Sequence, residues 1–216
     1  MPMQSPINIT SRALVPLRLS PILRFRYPSS PVSATVRFEV KDGDPVRGRA
    51  VVAPQIVVVP QEAEARLEVG AATYSLQSLH WHTPSEHRLE GRPQPLELHM
   101  VHRRPEDGAI LVVGVLYRLG APNRAIAPAF DLIGRFDAAS LAPGRPQEAA
   151  ASLRLGMLLP EARTTYRYQG SLTTAPFTEG VSWVVFTAQP EVAAEQVAAH
   201  DRLVSAPTPA FADRPH

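Results

Sequence analysis

Histidine is the residue whose placement in this chain points to chemistry. The 216-residue sequence holds seven, and five of them fall between His80 and His102. Two segments carry these five, SLHWHTPSEH ending at His87 and LELHMVH ending at His102. Side chains two apart on a β-strand share a face. His80 and His82 therefore project together, with Leu79 and Trp81 on the other side. In the second segment Glu97, His99 and Val101 share one face, and Leu98, Met100 and His102 share the other. If the two strands are antiparallel neighbours, His99 meets His80 and His82, and three neutral imidazoles converge. Three imidazoles with an open fourth position are the ligand set of catalytic zinc. Such a metal lowers the pKa of its bound water towards ~7 and makes hydroxide available at neutral pH.

Blander readings start from the same residues. A single histidine on a strand is more often a hydrogen-bonded core or surface group than a ligand. His82 and Glu86 have about the spacing of a cupin-like set, although no second cupin motif follows. A metallo-β-lactamase-like site needs an aspartate before the third histidine of its first motif, and here Glu86 precedes His87. Cysteine is absent, so any metal must rest on His, Asp or Glu, and no disulfide forms.

The elements that position these residues read as strands. Period-2 or apolar β-branched runs bounded by turn residues predict strands at 35–40, 55–59, 65–69, 73–82, 96–102, 109–119, 165–169 and 181–186. Turns are expected at Lys41-Asp42-Gly43-Asp44 and at Val69-Gly70. Two helices are expected, over 124–133 and over 191–203, the second following Pro190. The 23 prolines disfavour a helical bundle. With 44% hydrophobic and 19% charged residues the chain is globular rather than disordered. No repeat or composition break divides it, so residues 4–216 read as one mainly β domain, with 205–216 an extended surface tail. The formal charge of +2 comes from scattered arginines and one lysine, Lys41. They form no basic run, which argues against a nucleic-acid partner. No apolar run spans a membrane, and the opening MPMQSPINIT lacks the basic and apolar regions of a signal peptide. A cytoplasmic location is the expectation as written, and a periplasmic or secreted one if the true start lies upstream.

Four motifs in order then resemble the α-class carbonic anhydrases of bacterial type. QSPINI (4–9) is similar to the family's QSPI element, and LHWHTPSEH (79–87) to its H-x-H zinc segment. ELHMVH (97–102) resembles the segment bearing the third ligand, and GSLTTAPFTEGVSW (170–183) the SLTTPPCTEGVxW element. The resemblance implies a large, mostly antiparallel twisted sheet with a few short helices. It implies Zn²⁺ on His80, His82 and His99, and reversible hydration of CO₂ to bicarbonate and a proton. It matches Thr173 to the threonine that accepts from the nucleophilic hydroxide and donates to a buried glutamate, here Glu86. It matches Glu97 to a carboxylate holding a ligand imidazole, and Thr174 to the anion site. Val101, Val112, Leu172, Val181 and Trp183 match the apolar wall where CO₂ lies. Their bland reading is ordinary core. His87 and His102 match structural positions.

The chain also departs from that pattern. Only Met1-Pro2-Met3 precede the first motif, where the family carries an aromatic- and histidine-containing segment. Arg214-Pro215-His216 resembles the start of its closing RPVQPL element. Both ends are therefore expected to lack family elements. The stretch matching the proton-shuttle region, RAVVAPQIVVV (49–59), holds no histidine, so proton export is expected to be slow. Ser78 stands where a glutamine normally holds the first ligand, which predicts weaker zinc binding. Phe177 replaces a cysteine that bacterial members often pair in a disulfide. These departures motivate the alternative of a catalytically weakened or inactive zinc-binding domain acting as a binding or scaffold module.

Overall fold

The computed structural model describes residues 3–15, 21–39, 55–60, 65–141, 145–174 and 176–205. The strands are β1 (Asn8–Ile9), β2 (Leu23–Arg26), β3 (Val32–Glu39), β4 (Gln55–Pro60), β5 (Arg66–Val69), β6 (Ala72–His82) and β7 (Arg88–Leu89). They continue with β8 (Arg92–Pro93), β9 (Leu96–Arg103), β10 (Ile110–Leu119), β11 (Gln147–Leu153), β12 (Thr165–Ser171), β13 (Glu179–Phe186) and β14 (Glu191–Val192). The helices are α1 (Ala127–Phe130) and α2 (Ala194–Val204).

Eleven strands form one sheet, whose main path runs β11-β3-β4-β6-β9-β10-β13-β12. Its pairings are antiparallel except β10 with β13 and β10 with β14. A separate three-stranded sheet joins β1, β7 and β8. Gly70, at φ +60, supplies the left-handed turn between β5 and β6 that its sequence predicts.

Burial explains the strand patterns. β3 alternates buried and less buried residues, as a strand with one covered face must. The central strands β9 and β10 are buried almost throughout, because both faces of the sheet are covered there. Two hydrophobic clusters result. The larger packs Leu79, Trp81, Leu98, Met100, Leu111 and Val113 on one face. The smaller gathers Val112, Leu116, Val181, Trp183 and Val185 with Ile9.

Both helix expectations need correction. Only Ala127–Phe130 of the expected 124–133 helix is α-helical. Asn123 Oδ1 accepts from the backbone N–H of Ala125 and Ile126 at 3.0 and 3.3 Å, holding that approach as a turn. Pro128 supplies no N–H, so it sits in the first helical turn. A short 3₁₀ turn, Ile133–Arg135, follows separately. The second helix begins at Ala194 rather than 191, because the sheet captures the preceding residues. Arg118 N–H donates to Pro190 O and Gly120 N–H to Val192 O, both at 3.0 Å. Gln196 then folds back so that its Oε1 accepts from Ala193 N–H. Three strands of the large sheet, β2, β11 and the β14 just described, lie outside the expected set. The alanine-rich QEAAASL of β11 carries little of the β-branched signal that marks a strand. The turn expected at 41–44, Val40 and residues 206–216 lie outside the described residues.

Candidate metal centre

Register brings the three histidines together. β6 and β9 are antiparallel neighbours, and His80 is directly opposite His99. The β6 ladder pairs His82 with Glu97 and Ser78 with Val101, extending the same face to either side. Ring centroids are 5.0 Å apart for His80 and His82, 5.2 Å for His80 and His99, and 4.6 Å for His82 and His99. One ligand atom from each lies within 4.8 Å of the others.

The imidazoles are held differently. His99 Nε2 is 2.9 Å from Glu97 Oε1, which turns Nδ1 the opposite way, towards the other two rings. His82 Nε2 is buried and has no hydrogen-bond partner among the described residues. Burial first, and His99 next, push the His82 pKa well below its usual value, so its lone pair is free of a proton. Burial also pulls on His99, but the Glu97 and Glu86 carboxylates outweigh it and hold its pKa up. Burial alone would raise Glu97; His99 and His87 reverse that and keep it ionised.

His87, Glu97 and His99 also lie within ligating reach of one another. The polar atoms of His87 and Glu97, however, already have partners. Glu97 Oε1 is 2.6 Å from His87 Nδ1. Glu97 Oε2 accepts from the backbone N–H of Glu86 and of His87, each at 2.9 Å. His87 Nε2 is 2.6 Å from Tyr168 Oη, which lies 3.0 Å from Ser5 Oγ. His87 and Glu97 thus form a hydrogen-bonded support, whereas in the first group His82 Nε2 is unpaired among the described residues. The donor set of His80, His82 and His99 therefore fits a metal ion of the zinc type.

Glu86 Oε2 stands 3.5 Å from His82 Nε2 and 3.8 Å from His99 Nδ1. Burial raises its pKa, and His99 and a hydrogen bond from Thr173 oppose that rise. Thr173 and Thr174 lie on the loop between β12 and β13. Leu172 N–H donates to Thr178 O at 2.9 Å and Phe177 N–H to Thr174 O at 2.8 Å, which closes the loop. Phe177 adopts a left-handed φ of 59°, an uncommon state for an aromatic residue that marks how tightly the loop turns. Val112, Val181 and Trp183 are buried in the smaller cluster, and Val101 and Leu172 pack against it. The Trp183 ring meets His99 edge-on at 4.9 Å. Ser78 projects from the same face two residues before His80.

Residues that motif reading left without a role also support the site. Gly114 is directly opposite His99 on β10. A Cβ there would lie 3.4 Å from Glu97 Oε1 and 3.3 Å from a Val185 methyl. A lone glycine inside an apolar strand is the signal of such close approach. Ser5 and Tyr168, which close the support behind Glu97, carried no comparable signal.

A model of the family described as eukaryotic-type carbonic anhydrase matches residues 1–210. The chain belongs to this carbonic anhydrase family. It is 36% identical over 126 residues to a carbonic anhydrase of Pectobacterium carotovorum, covering 58% of this chain and 48% of that one. It is 32% identical over 203 residues to alpha carbonic anhydrase 3 of Arabidopsis thaliana, covering 90% and 63%. The chain thus spans about half to under two thirds of the length of these relatives. Its fold is similar to the α-carbonic anhydrase of Thermovibrio ammonificans solved with the inhibitor sulfanilamide. That likeness has a TM-score of 0.74 and 31% identity, over 97% of this chain and 84% of the other. Among the described residues, no helix of this chain is long and apolar enough to cross a membrane.

Proposed function

We propose that the chain hydrates CO₂ reversibly to bicarbonate and a proton, at a zinc ion held by His80, His82 and His99. The observation that carries this reading is the convergence of three imidazoles, with His82 Nε2 buried and unpaired, beside a separate apolar cluster. A zinc ion so held supplies a water acidic enough to give hydroxide near neutral pH.

The chain's own residues prepare the rest. Glu97 holds the His99 proton at Nε2 and so keeps Nδ1 available as a ligand. An ionised Glu86 can only accept, so it draws the Thr173 proton towards itself. Thr173 Oγ1 is then left to accept from the nucleophile and fix its direction, a positioning effect. Val101, Val112, Leu172, Val181 and Trp183 offer CO₂ an apolar wall. CO₂ has no net dipole and accepts hydrogen bonds weakly, so it loses little there, while ordered water is excluded. In this reading Thr174, on the same loop as Thr173, meets the bicarbonate product. Ser78 stands beside His80 with a shorter reach than an amide, which predicts weaker metal retention.

Proton export is the step for which the chain supplies least. The 49–59 stretch has no histidine, and of it only Gln55–Val59 falls within the described residues. Buffer or water chains then carry the proton. Residues 4–216 act as one domain in this reading, and the lack of cysteine suits a reducing compartment such as the cytoplasm.

The test is stopped-flow CO₂ hydration by zinc-loaded protein, with and without imidazole. Hydration that climbs with imidazole is the expected result. Hydration no faster than the buffer blank, with zinc verified in the sample, overturns the reading in favour of a zinc-binding scaffold module.

A further inference from the structure

We propose that His200 is a positioning residue for the His82 end of β6, acting through Thr83. This inference rests on the metal-binding reading above.

His200 lies in the last turns of α2 and is completely buried. Its ring stacks on Phe130 of α1, with centroids 5.4 Å apart and planes 13° from parallel. Phe130 meets the Trp81 ring edge-on at 5.2 Å. His200 Nδ1 is 2.8 Å from Thr83 Oγ1. The residues on both sides of His82 are therefore gripped by one group, packed on the face of β6 opposite the imidazole.

The grip lies where the ladder ends. β6 stops at His82, and the chain leaves the sheet through an irregular turn over 83–87. His99, by contrast, sits within β9 and has Glu97 against its ring. An anchor at Thr83 does for the end of β6 what further ladder hydrogen bonds do for β9.

Stability alone disfavours an imidazole at position 200. His200 Nε2 is buried without a partner among the described residues, and burial holds the ring neutral by lowering its pKa to about 4. A buried polar atom left unpaired costs free energy that an apolar ring in the same stack does not. What the imidazole has and a phenyl ring lacks is Nδ1, and Nδ1 is bonded to Thr83.

The test compares zinc release to a competing chelator from wild type, Thr83→Val, His200→Phe, His200→Asn and the Thr83→Val/His200→Phe double variant. Thr83→Val removes the hydroxyl at nearly constant shape. His200→Phe keeps the stack, and His200→Asn keeps a nitrogen near the position of Nδ1. Removing a group that supports a ligand from outside the metal's own shell typically weakens binding, so Thr83→Val and His200→Phe should each release zinc about 3–10-fold faster. Because they break one shared contact, the double variant should be no faster than the quicker single one. His200→Asn should restore release to within about twofold of wild type. Visible spectra of the cobalt-substituted proteins should shift in Thr83→Val and His200→Phe and not in His200→Asn. Thermal midpoints of the metal-free proteins separate this from a purely structural role, which lowers the midpoint and leaves release and spectrum alone. Unchanged release and spectrum in folded Thr83→Val and His200→Phe overturn the inference, and Thr83→Val carries the test if the helix variants fail to fold. Wild type that retains no zinc on gel filtration overturns the functional reading, a result distinct from wild type that binds zinc and variants that release it normally.

Discussion

The two faces of the β6-β9-β10 sheet treat histidine in opposite ways. On the face of the larger cluster, His102 is fully buried between Tyr27 and Met100. Its Nδ1 donates to Met100 O at 2.9 Å, and its Nε2 accepts from the Tyr27 hydroxyl at 2.7 Å. Both nitrogens are satisfied, and the ring stacks on Tyr27. On the other face His82 Nε2 and Glu86 Oε2 are buried without partners among the described residues. A folded chain seldom leaves buried polar atoms unpaired. The contrast is between His102, whose nitrogens are both satisfied, and His82, whose Nε2 is held ready for something the chain does not supply. The same strands serve both, because alternation sends successive side chains to opposite sides.

Breaking the open face should have the largest effect. His99→Ala removes the proposed ligand that Glu97 contacts. The variant should lose bound zinc and CO₂ hydration together, read by metal content and stopped flow. Since one ligand of three is gone, residual zinc at wild-type stoichiometry would contradict the assignment.

The closed face should instead reveal itself in acid. Burial lowers the His102 pKa to about 4, with its bond to the Met100 carbonyl opposing the shift. The unfolded chain takes up this proton near pH 6.5, and the folded chain resists it until about pH 4. The stability involved is therefore complete above pH 6.5 and is lost as pH falls towards 4. The gap corresponds to about 3 kcal/mol. Urea unfolding of metal-free protein between pH 7 and 4 should show this loss. The Tyr27→Phe/His102→Phe double variant should have a shallower dependence.

Thr173→Ala sharpens the comparison within the open face, because it removes orientation and leaves the ligands. Zinc content should be unchanged, and kcat/KM for hydration should fall by about 100-fold, the scale of a misdirected nucleophile. Activity within about twofold of wild type would rule out the Thr173–Glu86 orientation.

The difference between the faces also decides what could be read from sequence. The histidine face was legible, because alternation over 79–82 and 96–102 fixes which side chains share a side. The direct pairing of His80 with His99 only had to follow from an antiparallel register. The five residues that the family match gives to the apolar wall fall in or against one cluster. Ser5, Tyr168 and Gly114 were not legible, because their roles depend on contacts across as many as 166 residues of chain. A serine hydroxyl or a missing Cβ leaves no periodic trace. The helix boundaries moved for a related reason. Residues 191–192 have no helical or strand preference strong enough to resist the open edge of β10, and tertiary pairing decided their state. Thr83 and His200 are 117 positions apart, and only the packing of α2 under β6 joins them.

The smallest effect should come from the outer end of the support behind the metal centre. Tyr168→Phe removes the hydroxyl facing His87 Nε2 and Ser5 Oγ. Glu97 keeps its two backbone N–H donors and its contact with His87 Nδ1. The carboxylate therefore stays in place, and His99 with it. Loss of Glu97 itself should weaken zinc binding by about 10–100-fold, so Tyr168→Phe, one contact further out, should speed zinc release by less than tenfold. Zinc release from the two variants, measured against one chelator, checks the order. If Tyr168→Phe matched Glu97→Ala, the tie to Ser5 would be carrying the ligand. The segment QSPINI would then belong to the metal centre rather than to the frame around it.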